Sequence, residues 1–219
     1  LIRVLFRKKS AHNSILLTER CNHYCLMCSQ PPKNVNDSWI LNESRALIKL
    51  IPNDTEELGI TGGEPTIYGQ EFIELMHLAK EYLPQTSIHI LSNGRAFKDI
   101  SYTRDYSKIE HDDMVLGIPL YSDDPVRHDY VVQSRGAFSE TVKGILNLKS
   151  FEQKVEIRIV IHKQTIDRLV SLCEFIARNL LFVDHVALMG LEITGFTRAN
   201  LDLLWIDPYE YRNVLSEAC

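Results

Sequence analysis

Strand-like and helix-like runs alternate along the whole chain, and that alternation limits the fold more than any other feature of the sequence. Residues 14–18, 57–61, 87–91, 114–121, 155–161 and 184–191 read as strands. The fifth, Val155-Glu156-Ile157-Arg158-Ile159-Val160-Ile161, is the plainest, being rich in β-branched residues. Between the strands lie helix-like segments: 43–51 with Asn42 as cap, 70–82, 99–107, 138–148 and 166–180. The second of these carries Phe72, Ile73, Leu75, Met76 and Ala79 at the spacing of one helix face. A last helix begins at Pro208 behind Asp207 as its cap. The stretch after the fourth strand, through Gln133, is polar and reads as a loop. Repeated βαβ units imply an α/β fold with a parallel sheet. Six units are too few for a closed eight-stranded barrel, while an open, incomplete barrel and a flat doubly wound sheet both fit. In either, the functional loops follow the C-terminal ends of the strands. Those loops are residues 19–30, 62–66, 92–95, 121–133, 162–165 and 192–199.

The chain of 219 residues suits one large domain. Lys+Arg is 24 and Asp+Glu is 29, giving 24 − 29 = −5, which argues against a nucleic-acid partner. No apolar run approaches the roughly 18 residues of a membrane span. Residues 1–6 are too short for a signal peptide and carry Arg3, so a cytoplasmic protein is expected. The chain starts on Leu1 and stops on Cys219, and reads as a fragment. Residues 1–12 are expected to be a truncated lead-in, and 13–219 a core domain whose C-terminal extension is missing.

Five cysteines, an odd count without a secretion signal, speak against a disulfide scaffold. Three of them, Cys21, Cys25 and Cys28, fall within eight residues as C-x3-C-x2-C. Thiolates are soft ligands that suit iron–sulfur clusters, Zn²⁺ or Cu(I). A closed structural site wants four protein ligands, and three clustered here leave one metal position open. The competing reading is zinc, with His23, Cys173 or Cys219 as fourth ligand; unmetallated thiols are the blandest. His23 is set aside because its ring is expected to point outward from the tight loop. Cys173 lies among Leu172, Phe175 and Ile176 and reads as a buried thiol.

The second strand runs into Gly62-Gly63-Glu64-Pro65-Thr66. Paired glycines let the backbone approach a ligand closely or adopt positive φ. Glu64 offers a carboxylate to a cationic amino group and Pro65 stiffens the turn. A simple tight turn is the alternative.

Together, C-x3-C-x2-C after the first strand and Gly-Gly-Glu-Pro after the second resemble the radical S-adenosylmethionine (SAM) superfamily. The resemblance implies a partial (β/α)6 TIM-like barrel, with Cys21, Cys25 and Cys28 holding a [4Fe-4S] cluster whose fourth iron chelates SAM. It further implies that Gly62, Gly63, Glu64 and Pro65 contact the methionyl amino group. Ser92-Asn93-Gly94 resembles the family's Ser/Thr-Asn-Gly, placing Ser92 and Asn93 near SAM. His128-Asp129, Arg135-Gly136-Ala137-Phe138 and Thr141-x-x-Gly144-Ile145 resemble peptide-modifying members. Arg135 or Arg127 can then pair with the SAM carboxylate, a solvated loop arginine being the alternative. Ala187, Leu188 and Met189 can flank adenine, or serve only as core. Met27 stands where the family often has an aromatic residue. Pro119 stands where many members have a ribose-binding serine, with Ser122 as the substitute.

More narrowly, Cys25-Leu26-Met27-Cys28-Ser29-Gln30-Pro31-Pro32, the Thr61–Thr66 stretch and Gly190-Leu191-Glu192-x-x-Gly195-Phe196 resemble the HxsC maturases of the His-Xaa-Ser peptide system. That likeness implies reductive cleavage of SAM to a 5′-deoxyadenosyl radical and hydrogen abstraction from a ribosomally made precursor peptide. The implied partners are the peptide, a flavodoxin- or ferredoxin-like electron donor and a sister maturase. A nucleotide or small metabolite is the alternative substrate, and a non-catalytic zinc or iron–sulfur redox-sensing module the alternative class. On the fifth strand, Glu156, Arg158, Val160 and His162 share a face. If it faces inward, Glu156 and Arg158 can touch substrate or SAM, or simply fill a barrel layer as an ion pair.

Overall fold

A computed structural model of the protein describes residues 6–8, 10 and 12–218. Cys219, weighed above as a fourth ligand, lies outside the described residues, as does most of the lead-in through residue 5. Six strands form one sheet in sequential order: β1 (Ser14–Leu16), β2 (Glu57–Thr61), β3 (Ser87–Leu91), β4 (Met114–Pro119), β5 (Lys154–Val160) and β6 (His185–Met189). Every neighbouring pair is parallel. Among the described residues β1 and β6 do not pair, so the sheet is an unclosed (β/α)6 barrel rather than a doubly wound layer.

The sequence period of two explains which way each strand faces. Ile15, Ile60, Ile90, Leu116 and Val155 stand in register across five strands, and all are buried. They join one core with Leu41 and Ile48 of α1 (Ser38–Ile48), Phe72 and Leu75 of α2 (Gln70–Tyr82), Tyr106 of α3 (Ile100–Ser107), Ile145 and Leu148 of α5 (Ala137–Ser150), and Leu172 and Ile176 of α6 (Leu169–Asn179). Each such side chain stabilises the fold by about 1.5–3 kcal/mol through burial. The alternate positions, Gly117, Pro119, Arg158 and Val160 among them, face the barrel interior.

Helix α1 starts at Ser38, five residues before the start expected at residue 43. Asn42 is therefore inside the helix, accepting from Arg45 Nη1 at 3.0 Å instead of capping. The polar stretch read as a loop holds α4 (Pro125–Val132). Its signal was present: Asp124 accepts from Val126 N–H at 3.0 Å and Pro125 occupies the first turn. Residues 166–168 form a 3-10 turn before α6, and two four-residue helices, α7 (Phe196–Ala199) and α8 (Leu201–Leu204), follow β6. α9 (Pro208–Ala218) closes the described chain. Cys173 is half-buried on α6 against the main core. Among the described residues no helix is long and apolar enough to cross a membrane.

Candidate active site

Three loops at the C-terminal ends of β1, β2 and β3 are knitted into one wall. The cysteine loop is anchored first by Asp37, whose buried carboxylate accepts from Thr18 Oγ1 at 2.8 Å, Glu19 N–H at 2.6 Å and Arg20 Nε at 3.0 Å. Burial opposes that charge, yet the donors from Glu19 and Thr18 outweigh it and hold the carboxyl below its ordinary range. The glycine loop then lies directly on the cysteine loop. Gly63 N–H donates to Thr18 O at 2.7 Å and Glu64 N–H to Arg20 O at 2.8 Å. A Cβ on Gly63 would stand 2.0 Å from Arg20 O, and one on Gly62 2.8 Å from Thr18 O. The paired glycines thus allow backbone to approach backbone; neither has positive φ, and the close partner is the cysteine loop itself.

Glu64 joins the third loop. Its Oε1 accepts from Thr66 N–H at 3.0 Å, the Thr66 hydroxyl at 2.6 Å and the Ser92 hydroxyl at 2.8 Å, while Oε2 accepts from Asn93 N–H at 2.6 Å. Burial pushes its carboxyl upward, against these donors, which favour the charged form. Asn93 also donates from Nδ2 to Asn22 Oδ1 at 2.6 Å, tying the third loop to the first. Behind it, Thr141 Oγ1 donates to Asn93 O at 3.0 Å, and Gly144 lets α5 approach so closely that a Cβ would lie 2.2 Å from Gly94 O. The His128-Asp129 pair is structural: His128 Nδ1 accepts from Tyr121 N–H at 3.2 Å, and Asp129 Oδ1 accepts from Phe138 N–H at 2.9 Å at the start of α5.

The result is a cavity of about 290 Å³ lined by Cys21, Cys25 and Cys28 together with Gly62, Gly63 and Glu64. Met27, Ser92, Asn93 and Met189 line it too, as do Pro119, Tyr121, Arg158 and Val160 from the barrel interior. Burial drives the Cys21 thiol up to about 12 and raises Cys25 and Cys28 as well, so metal binding by these groups must displace their protons. Among the described residues no group of three or more His, Cys, Asp or Glu could hold one metal ion. A zinc centre would need its sulfurs about 2.3 Å from a shared ion. Three thiols lining one cavity, with no fourth cysteine in that lining among the described residues, suit a cluster that keeps one iron position open.

Several expectations change. His23 does not point outward: it is 3% exposed, lines the cavity, and its Nε2 has no hydrogen-bond partner. Burial lowers its pKa to about 3, so it stands neutral. Ser122 is not brought to the cavity; it is fully buried and its hydroxyl accepts from Asp124 N–H at 3.1 Å at the start of α4. Arg135 is exposed outside the cavity, and Arg127 turns to Asp167 and Gln164 O. The arginine that does line the cavity is Arg158; it pairs with Glu156 at 2.5 Å, the ion pair expected of that face, while Glu156 itself lies outside the cavity lining. Pro65 begins a 3-10 turn just behind Glu64. Of the adenine candidates, Met189 lines the cavity, whereas Leu188 packs on the core. Tyr121 escaped the sequence reading, although it continues the inward period of Pro119.

Fold and cavity define a class: unclosed (β/α)6 barrels with a three-thiol pocket at the C-terminal mouth. The profile of the radical SAM superfamily matches residues 15–176, and the chain belongs to that superfamily. Its members bind a [4Fe-4S] cluster and SAM. The chain is 27% identical over 168 residues to the GTP 3',8-cyclase of Haemophilus ducreyi, covering 73% of this chain and 47% of that protein. It is 30% identical over 102 residues to the Pasteurella multocida GTP 3',8-cyclase, covering 44% of this chain and 30% of that protein. The chain thus spans less than half the length of these curated relatives. Streptococcus suis SuiB bound to S-adenosylmethionine superposes with a TM-score of 0.72 at 18% identity, covering 93% of this chain and 45% of SuiB. Coproporphyrinogen III oxidase (HemN) from Escherichia coli gives 0.68 at 13%, covering 93% of this chain and 50% of that one. At such identities these structures speak for the fold alone.

Proposed function

We propose that the chain is the core of a peptide-modifying radical SAM enzyme of the HxsC type. The carrying observation is the convergence of Cys21, Cys25 and Cys28 with Gly62–Glu64 and Ser92–Asn93 on one cavity at the strand ends. In this reading the three cysteines hold the cluster. Gly62, Gly63, Ser92 and Asn93 receive the methionyl end of SAM, while Met27 and Met189 flank its nucleoside. When bound, cluster and SAM supply a 5′-deoxyadenosyl radical by reductive cleavage of the sulfonium. The chain's own work is placement. Glu64 fixes the second and third loops through four donors, Arg158 brings a cation to the inner wall, and Tyr121 and Val160 help to exclude water. A cavity of about 290 Å³ is at the small end for ligand pockets.

The peptide reading is supported by the fold shared with SuiB, a protein whose structure with its precursor peptide SuiA is known. A cytoplasmic setting, an electron-donor protein, a sister maturase and further domains outside residues 13–219 belong to the same proposal. The matches to GTP 3',8-cyclases favour a second reading, a nucleotide substrate. Anaerobic reconstitution with iron and sulfide tests the core claim. Expected are [4Fe-4S] stoichiometry, an EPR signal altered by SAM, and 5′-deoxyadenosine on reduction, all lost in Cys25→Ala. Zinc co-purifying in place of iron, with no 5′-deoxyadenosine, overturns it. A mass change in a candidate His-Xaa-Ser peptide, against turnover of a nucleoside triphosphate, separates the two substrates.

A further inference from the structure

The segment after β6 holds the cysteine loop in a way the proposed reaction leaves unexplained. Gly195 opens it at φ +50°, and a Cβ there would stand 2.3 Å from Cys28 O. Three successive carbonyls of the cysteine loop are then taken up. Asn200 Nδ2 donates to Leu26 O at 2.8 Å, Thr197 Oγ1 to Met27 O at 3.2 Å, and Phe196 N–H to Cys28 O at 2.8 Å. Thr197 is fully buried. All three donors lie beyond residues 15–176, the part matched by the superfamily profile.

In a trans peptide unit the C=O and N–H point in opposite directions. Fixing the Leu26 and Cys28 carbonyls on the α7 side therefore turns the N–H groups of Met27 and Ser29 the other way, and both residues line the cavity. Leu26 N–H donates to Val131 O and Cys28 N–H to Cys25 O. Among the described residues the Met27 and Ser29 N–H groups have no acceptor. A buried N–H left without one is costly; Ser29 is exposed and Met27 buried, so the Met27 amide is the ready donor to an anionic ligand.

We infer that Asn200 is a positioning residue: by holding the Leu26 carbonyl on the α7 side it turns the Met27 amide toward the cavity, where that amide would donate to a bound cluster and set its ease of reduction. The inference rests on the reading that Cys21, Cys25 and Cys28 hold the cluster. Hydrogen bonds to cluster sulfur favour the more negative, reduced form and raise the potential. Loosening the Leu26 carbonyl anchor lowers it, whereas the Met27 carbonyl held by Thr197 is joined to the Cys28 N–H, which Cys25 O already takes.

The test uses the full chain, reconstituted anaerobically, with EPR-monitored redox titration of wild type, Asn200→Leu and Thr197→Val. Thr197→Val, which frees a carbonyl whose peptide N–H is already bonded, should titrate like wild type. Asn200→Leu should show about a tenfold lower reduced-to-oxidised ratio at a fixed applied potential, equivalent to about 59 mV for one electron. A wild-type potential in Asn200→Leu, or equal shifts in Asn200→Leu and Thr197→Val, overturns the clamp. A second readout needs no cluster: amide exchange over residues 26–30 of the metal-free chain should quicken in Asn200→Leu. Unchanged exchange there also overturns the clamp. Failure of wild type to take up iron would instead refute the cluster reading, leaving the exchange contrast to judge the clamp.

Discussion

Gly63→Ala should be among the most damaging single-methyl additions to this chain. The new Cβ would lie 2.0 Å from Arg20 O and 2.5 Å from the carbonyl carbon of that residue. Carbon–oxygen contacts settle near 3.3 Å, so the two loops must part by about 1.3 Å. The hydrogen bonds Gly63 N–H to Thr18 O and Glu64 N–H to Arg20 O, at 2.7 and 2.8 Å, are then both lost. Each costs about 1–3 kcal/mol where its groups stay buried, and the strain of overpacking adds about 1–3 kcal/mol. The total, roughly 3–9 kcal/mol, is a large part of a typical domain's stability. Urea unfolding of the metal-free chain, followed by circular dichroism, reads it directly. Gly190→Ala is the control: a Cβ there meets nothing within 4 Å, so its effect should stay within about 1 kcal/mol. Iron uptake should fall with Gly63→Ala, because the same separation moves Cys21 away from Glu64. A Gly63→Ala chain that unfolds within about 1 kcal/mol of wild type and loads iron normally refutes the argument that these loops are locked together.

Burial lowers the pKa of His162 to about 4, below the ordinary value of about 6.5 for an unfolded histidine. The unfolded chain therefore binds the proton first, and stability falls as pH drops from about 6.5 toward 4. The His162 share reaches about 2 kcal/mol at pH 5, so His162→Asn should shrink the fall between urea midpoints at pH 7 and pH 5 by that much, while His23 and His128, lowered by burial likewise, keep the remainder. Asp129→Ala removes the carboxylate that accepts from Phe138 N–H at the start of α5, where Gly136 supplies no side-chain cap. It should cost about 1–2 kcal/mol in the same assay, while Asp129→Asn should recover most of it. Cys21→Ala and Cys28→Ala should each abolish iron incorporation without lowering the stability of the metal-free chain by more than about 1 kcal/mol, since neither thiol is a core residue.

What could be read from the sequence was what repeats locally. β2 and β3 fall on the residues expected, because five alternating positions between turn signals leave little choice of register. The early start of α1 was hidden because the Asp37 carboxylate binds Thr18 and Glu19 instead of capping the helix. Among the site residues, the cysteine and glycine loops carry their spacing within a few positions and were legible. Ser122 and Arg135 were misplaced because α4 rearranges the loop that bears them. The inward turn of His23 and the clamp from Thr197 and Asn200 depend on contacts between distant parts of the chain, 170 and 174 residues apart for the clamp, and no local pattern records them.

Leaving the barrel unclosed has a mechanical result. Among the described residues no ladder joins β1 to β6, so those two edges can move apart or together without breaking an inter-strand bond. The aperture is governed by the twist of a continuous six-stranded ribbon, a soft elastic variable, rather than by a fixed ring circumference. What joins the two edges instead is the segment after β6, whose Phe196, Thr197 and Asn200 bond the cysteine loop, so any change of aperture is felt first at the wall bearing the three thiols.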